Sequence, residues 1–183
     1  MFKRKSRQQI NINKIHMRKN TIRKILAIDP GTRNMGYAVF AGKELCYYGI
    51  KRIPKLGSAR EELKIGRSLI YGFIKDFSPQ VLIVEKTFFS NSKSAVLLNK
   101  FTNEIRCIGK RKKLTVISMA ANTVRKGLCG NGSAGKEDVA RTLVSLYPEL
   151  KSYLRADTKW KEKYYRNMFD AVALGVMCQR NGF

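Results

Sequence analysis

Two acids in this chain sit directly behind runs of four apolar residues. Asp29 follows Ile25-Leu26-Ala27-Ile28, and Glu85 follows Val81-Leu82-Ile83-Val84. Such runs read as strands buried on both faces, so each acid stands at a buried strand end. If the two strands are parallel neighbours, the carboxylates lie close together. Two bare anions so placed repel until one binds a proton or a cation sits between them. Mg2+ is the matching cation, because it takes hard oxygen ligands. Asp170 opens a further apolar stretch, Ala171-Val172-Ala173-Leu174, and Asn167 lies three residues earlier on the same helical face. Singly, each acid has an ordinary reading. Asp29 forms a turn with Pro30 and Gly31. Glu85 ends a strand beside Lys86. Asp170 is a first-turn carboxylate favoured by the helix dipole. Their joint occurrence in a basic chain points to a metal site.

The elements that would carry these residues follow from the hydrophobic pattern. Residues 1–23 lack sustained periodicity and read as a basic flexible arm; residues 24–183 read as one folded domain. After the strand at Ile25, Gly36-Tyr37-Ala38-Val39-Phe40 and Leu45 to Ile53 make two more, with short turns between them, so an antiparallel meander is expected. Ser58 to Glu61 has capping-box spacing and starts a helix through Leu63, Ile70, Ile74 and Phe77. The strand ending at Glu85 comes next. A polar loop leads to a helix with Leu97, Phe101, Ile105 and Ile108 on one face. Leu114 to Ile117 is a last strand. Gly127 to Gly135 reads as a loop, Val139 to Leu146 as a helix, Lys151 to Arg166 as a polar stretch, and Asp170 to Cys178 as the final helix. The expectation is an α/β fold with a mixed five-stranded sheet flanked by helices, its site at the carboxyl ends of strands.

Charge supplies the second constraint. The 183 residues hold 37 Lys plus Arg against 13 Asp plus Glu, a net +24. Residues 1–24 contain nine of the basic groups and none of the acids, which leaves the remainder at +15. A folded body with that excess repels itself unless an anionic partner neutralises it; nucleic acid is the first candidate and an acidic membrane surface the second. At 44% hydrophobic residues the chain is too apolar for a disordered basic tail. No apolar run approaches the ~20 residues of a membrane span; with nucleic acid as the favoured partner, no membrane is expected. The cysteines, Cys46, Cys107, Cys129 and Cys178, show no zinc spacing, and the single histidine, His16, lies in the arm. Reduced thiols in a cytosol-like compartment are the reading, with a viral or organellar setting also compatible with the arm.

Four motifs, in order, resemble one family. ILAIDPGTRNMGYAVF (25–40) resembles the opening strand of RuvC-type Holliday-junction resolvases, members of the ribonuclease-H-like nuclease superfamily. IVEKTFF (83–89), NTVRKGLCGNGSAGKEDV (122–139) and NMFDAVALGV (167–176) resemble that family's second acidic motif, its basic motif and its acidic helix. The resemblance implies a ribonuclease-H-like fold and a Mg2+-dependent endonuclease that resolves four-way DNA junctions by symmetric cleavage. It implies Asp29, Glu85 and Asp170 as catalytic metal-binding carboxylates, two Mg2+ ions per site with Mn2+ able to substitute, a homodimer, and a cytoplasmic, nucleoid-associated setting. Asn167 stands where the family has Asp or His, and would offer a neutral carbonyl ligand. Lys136 matches a lysine near the scissile phosphate. Phe88, with Phe89 beside it, matches an aromatic set against junction bases. Lys110, Arg111, Lys112 and Lys113 are a basic cluster assigned to DNA. Asp138 reads as a helix first-turn acid.

Other readings share these residues. A non-catalytic protein binding branched nucleic acid is favoured by Asn167. A related nuclease acting on flaps or RNA would use the same carboxylates. An actin-like ATPase shares the Asp29-Pro-Gly-Thr32 turn but needs two such domains, and 183 residues are too few. A structural basic protein gains nothing from acids beside an anionic partner.

Overall fold

The structure, a computed structural model, describes residues 22–87, 92–154 and 159–183, side chains at 93, 94 and 159–163 excepted. Five strands form one sheet: β1 (Lys24–Asp29), β2 (Asn34–Ala41), β3 (Glu44–Arg52), β4 (Val81–Glu85) and β5 (Thr115–Met119), in the spatial order β3-β2-β1-β4-β5. The first three make the expected antiparallel meander. β4 pairs parallel with β1, in the register Ile25 with Val81 through Ile28 with Val84. β5 is parallel to β4.

The continuous apolar runs are explained by the two layers that cover the sheet. Side chains alternate along a strand. On one face Ile25, Ala27, Val81 and Ile83 join a core with residues of three helices, α3 (Ala121–Cys129), α4 (Lys136–Leu146) and α6 (Lys159–Arg180). On the other, Leu26, Ile28, Leu82 and Val84 pack with α1 (Ala59–Phe77) and α2 (Lys93–Arg111). A strand between two helical layers has no polar side, so no alternation shows in its sequence. Ser58 caps α1 as its spacing predicts, its hydroxyl accepting the Glu61 N–H at 3.3 Å. The helix stops at Ser78, whose backbone is left-handed, just before Pro79.

Two expectations are corrected. The loop read at Gly127–Gly135 begins only at Gly130, the left-handed cap of α3. Val124 and Leu128, four apart, bury one face of that helix, and Gly127 lets Met177 of α6 approach without a Cβ in the way. The polar stretch Lys151–Arg166 contains α5 (Lys151–Leu154) and the first turns of α6. Tyrosines build this part of the packing: Tyr153 meets Tyr48 and Tyr165 edge to face, with ring centres 5.7 and 4.9 Å apart. The long polar sequence hides amphipathic residues whose rings are partly buried against the core. α6 then crosses β1 and β2 with Met168, Phe169 and nearly every residue from Ala171 to Cys178 buried.

Candidate active site

Parity and pairing together bring the acids to one place. Asp29 shares the sheet face of Ile25 and Ala27, and Glu85 that of Val81 and Ile83, so both belong to the face that α6 covers. Because β1 and β4 are parallel and in register, their last residues are neighbours. Asp170 descends from α6 onto this same strand end. Asp29 is 7% exposed. Its carboxyl is held well above the usual carboxylate range, first by burial, then by a hydrogen bond with Glu85 and the charges of Glu85 and Asp170; Lys136 acts in the opposite sense. The two side chains meet in a hydrogen bond where β1 and β4 end.

The third acid is differently engaged. The Lys136 ammonium donates to Asp170 Oδ2 at 2.9 Å, with both side chains partly exposed. Lys136 is the first residue of α4 and is presented by the cap at Gly135. The Gly135 N–H donates to Asp138 Oδ2 at 2.9 Å, so Asp138 is a helix cap. Among the described residues, no three His, Cys, Asp or Glu side chains converge closely enough to hold an ion between them. The donor chemistry nonetheless fits a hard divalent cation. Three carboxylates face one strand end, and Asp29 is raised first by burial and then by the two neighbouring acids, costs of a desolvated anion that such a cation offsets.

The turn after Asp29 is clamped from both sides. Asn167 donates its side-chain N–H to the Asn34 carbonyl, which ties α6 to the start of β2. A Cβ at Gly31 would overlap the Asn34 carbonyl, and one at Gly36 would overlap the carbonyl of Asn167. On the other side Arg33 meets Glu62 of α1 at 2.9 Å, and the same Glu62 oxygen accepts the Leu56 N–H at 3.0 Å. The Arg33 guanidinium holds the Glu62 carboxyl below its usual range. Asn167 is therefore brought to the site, and its amide is committed to the turn.

The remaining expected residues fare differently. Phe88 and Phe89 lie outside the described residues. Lys110, Arg111, Lys112 and Lys113 do not join the carboxylates. They precede β5, whose first residue lies beside the first residue of β4, at the amino end of the parallel strands. The 19 residues of α2 run from one end to the other, about 28 Å of helix. Lys112 stacks there over the Tyr71 ring at 5.4 Å. Sequence reasoning missed Arg125, which lines a small cavity with Glu85 and Asp170, and Arg166 beside Asp170. Arg125 follows the buried Val124, and reading 121–129 as a helix would have placed it on the flank of that face.

A family model described as "Crossover junction endodeoxyribonuclease RuvC" matches residues 25–159. A crossover junction endodeoxyribonuclease RuvC of Methylocella silvestris is 34% identical over 141 residues, 73% of this chain and 80% of the relative. The Proteus mirabilis counterpart is 33% identical over 129 residues, covering 67% and 73%. Among solved structures, Thermus thermophilus RuvC in complex with Holliday junction substrate superposes with a TM-score of 0.69 at 19% identity, covering 87% of this chain and 96% of that one. The yeast mitochondrial Holliday junction resolvase Ydc2 gives 0.57 at 13% identity, covering 87% and 80%. The likeness to these solved structures shows a shared fold, a mixed five-stranded sheet flanked by helices.

Proposed function

The chain belongs to the RuvC family of crossover junction endodeoxyribonucleases, and from that premise we propose that it cuts four-way DNA junctions by metal-dependent phosphodiester hydrolysis. One observation supports this reading above the others. In a chain of net +24, carboxylates from β1, β4 and α6 face one strand end, with a lysine on the third.

In this proposal Asp29, Glu85 and Asp170 hold Mg2+, two ions per site, and Mn2+ can replace it. Such ions supply an activated water and stabilise the leaving oxygen. The protein's own groups do the rest. Asp29 and Glu85 set the negative floor of the site. The bond from Asn167 to Asn34 and the pair of Arg33 with Glu62 fix the turn that aims Asp29. Asn167 thus positions the turn, and any ligand role falls to its remaining carbonyl oxygen. Lys136 Nζ and Arg125 offset charge growing on the phosphate. Residues 24–183 form the nuclease domain, and residues 1–23 an arm that adds phosphate contacts without reading bases. Phe88 and Phe89 are proposed to face junction bases. A homodimer would supply one site to each of two opposed strands. Among the described residues no helix is long and apolar enough to cross a membrane.

The non-catalytic alternative draws support from Asn167, a neutral residue committed to the turn. Wild-type protein with Mg2+ decides between them on a set of substrates: four-way junction, flap, duplex and RNA–DNA hybrid. Paired, symmetric nicks on the junction, in preference to the others, are the expected result. Junction binding without nicking in either Mg2+ or Mn2+ would overturn the enzymatic reading.

A further inference from the structure

Asp170 lies between two cavities. One is the small space it shares with Glu85 and Arg125. The other, of about 200 Å3, is lined by Lys136, Glu137 and Ala140 of α4, Tyr153 and Leu154 of α5, and Arg166 and Phe169 of α6, with the Glu137 carboxylate held by Arg141. No step of the proposed reaction uses this second cavity.

Its walls combine three chemistries. Ala140 and Phe169 are each 7% exposed and make an apolar floor with Leu154. Tyr153 is a flat wall already fixed by its contacts with Tyr48 and Tyr165, so little ordering is required for a ring to stack there. Lys136 and Arg166 bring positive charge to the side nearest Asp170. A bare phosphate has no use for the apolar floor, and an acyl chain has no use for the cations. A planar base on an anionic backbone uses both. The volume is below the ~300–1,000 Å3 of pockets that enclose a drug-sized ligand, so it suits one ring system rather than a whole nucleotide.

We infer that this cavity takes the base of an unpaired nucleotide next to the cut phosphate. The inference rests on the junction-cleaving reading above, and it adds a subsite to it. A strand whose phosphate lies at Asp170 and Lys136 has its neighbouring nucleotide at the mouth of the cavity. Bases at a branch point leave the stack more readily than bases within a duplex, because less pairing is broken. The cavity therefore favours cutting at an exchange point over cutting in continuous duplex.

The experiment measures cleavage by the full-length protein on junctions carrying an abasic site on either side of the cut, or at matching positions in the uncut strand. Loss of one flanking base from the cut strand should lower kcat/KM by roughly 5- to 150-fold, the value of stacking one base. Leu154→Trp, which fills the cavity, should slow cleavage of the intact junction by a similar factor and remove the abasic effect. The inference falls if neither flanking abasic site slows the wild-type protein, or if Leu154→Trp keeps the full abasic sensitivity. The wild-type comparison decides alone if that variant does not fold. A wild-type protein that binds junctions but cuts none overturns the functional reading, and the subsite with it.

Discussion

The two ends of the parallel strands differ in how they manage charge. At the carboxyl end, a few acids are buried or half-buried and every one has a partner. Asp29 hydrogen-bonds with Glu85, Asp170 holds Lys136, and the turn between β1 and β2 is tied to α1 and α6. At the amino end, Lys110 to Lys113 stand largely in solvent, at the end of the sheet where β1 and β4 begin. Charge at one end is scarce, desolvated and geometrically fixed; at the other it is abundant and screened by water. The first arrangement suits chemistry, in which position governs rate. The second suits holding an anion, in which number governs affinity.

The largest effect should come from removing the buried acid. Asp29→Asn should lower junction nicking on the order of a thousandfold or more, as removal of a reacting group does, while binding in the presence of chelator stays at the wild-type level. A gel-based cleavage and mobility-shift pair checks this, and cleavage that survives would erase the distinction between the ends. Next comes packing around the site. Gly36→Ala places a methyl group on the Asn167 carbonyl and should destabilise the fold by about 1–3 kcal/mol or more, read by denaturant unfolding. Gly57, with nothing within 4 Å of a Cβ there, is the control that should tolerate alanine.

Replacing Lys110, Arg111, Lys112 and Lys113 by Gln tests the other end. The rate of cutting in the bound complex should not change. The slope of log affinity against log salt should fall by up to about 0.9 for each phosphate that the cluster no longer neutralises. A fall in the bound-state rate instead would place this cluster with the carboxylates. The smallest effect concerns pH. The Glu62 carboxyl is held below its ordinary value of 4.5, chiefly by Arg33. A depressed carboxylate stabilises the fold above its unfolded value, and that stability disappears as pH falls through the folded one. Glu62→Gln should therefore melt below wild type at pH 7, with the gap narrowing below about pH 4.5. A gap independent of pH would show that packing, not the ion pair, sets the difference.

Much of the site was legible before any fold was seen. Asp29 and Glu85 stood out because a carboxylate that ends a doubly buried strand has few ordinary reasons to be there. Asp170 stood out because it opens the apolar stretch Ala171 to Leu174, although α6 has already run from Lys159 by that point and the acid is no first-turn residue. Less visible were the groups that hold these acids. Arg125 was hidden because α3 carries glycine and polar residues, and its helicity depends on Val124 and Leu128 meeting α6. Tyr153 and Arg166 were hidden in a stretch whose polarity masks ring packing. Asn167 read as a weakened ligand, since its type was visible and its donor bond to Asn34 was not.

The sequence by itself determined which strands are buried on both faces, which acids end them, and that the partner is anionic. These are local matters of composition and period. Only the tertiary structure decided that β1 and β4 are in register, that both acids face α6, that Asn167 clamps the turn, and that the basic cluster lies a helix length from the carboxylates. Those facts depend on long-range pairing and on which face a helix covers. A period-two strand pattern with both faces apolar carries no mark of which face that is.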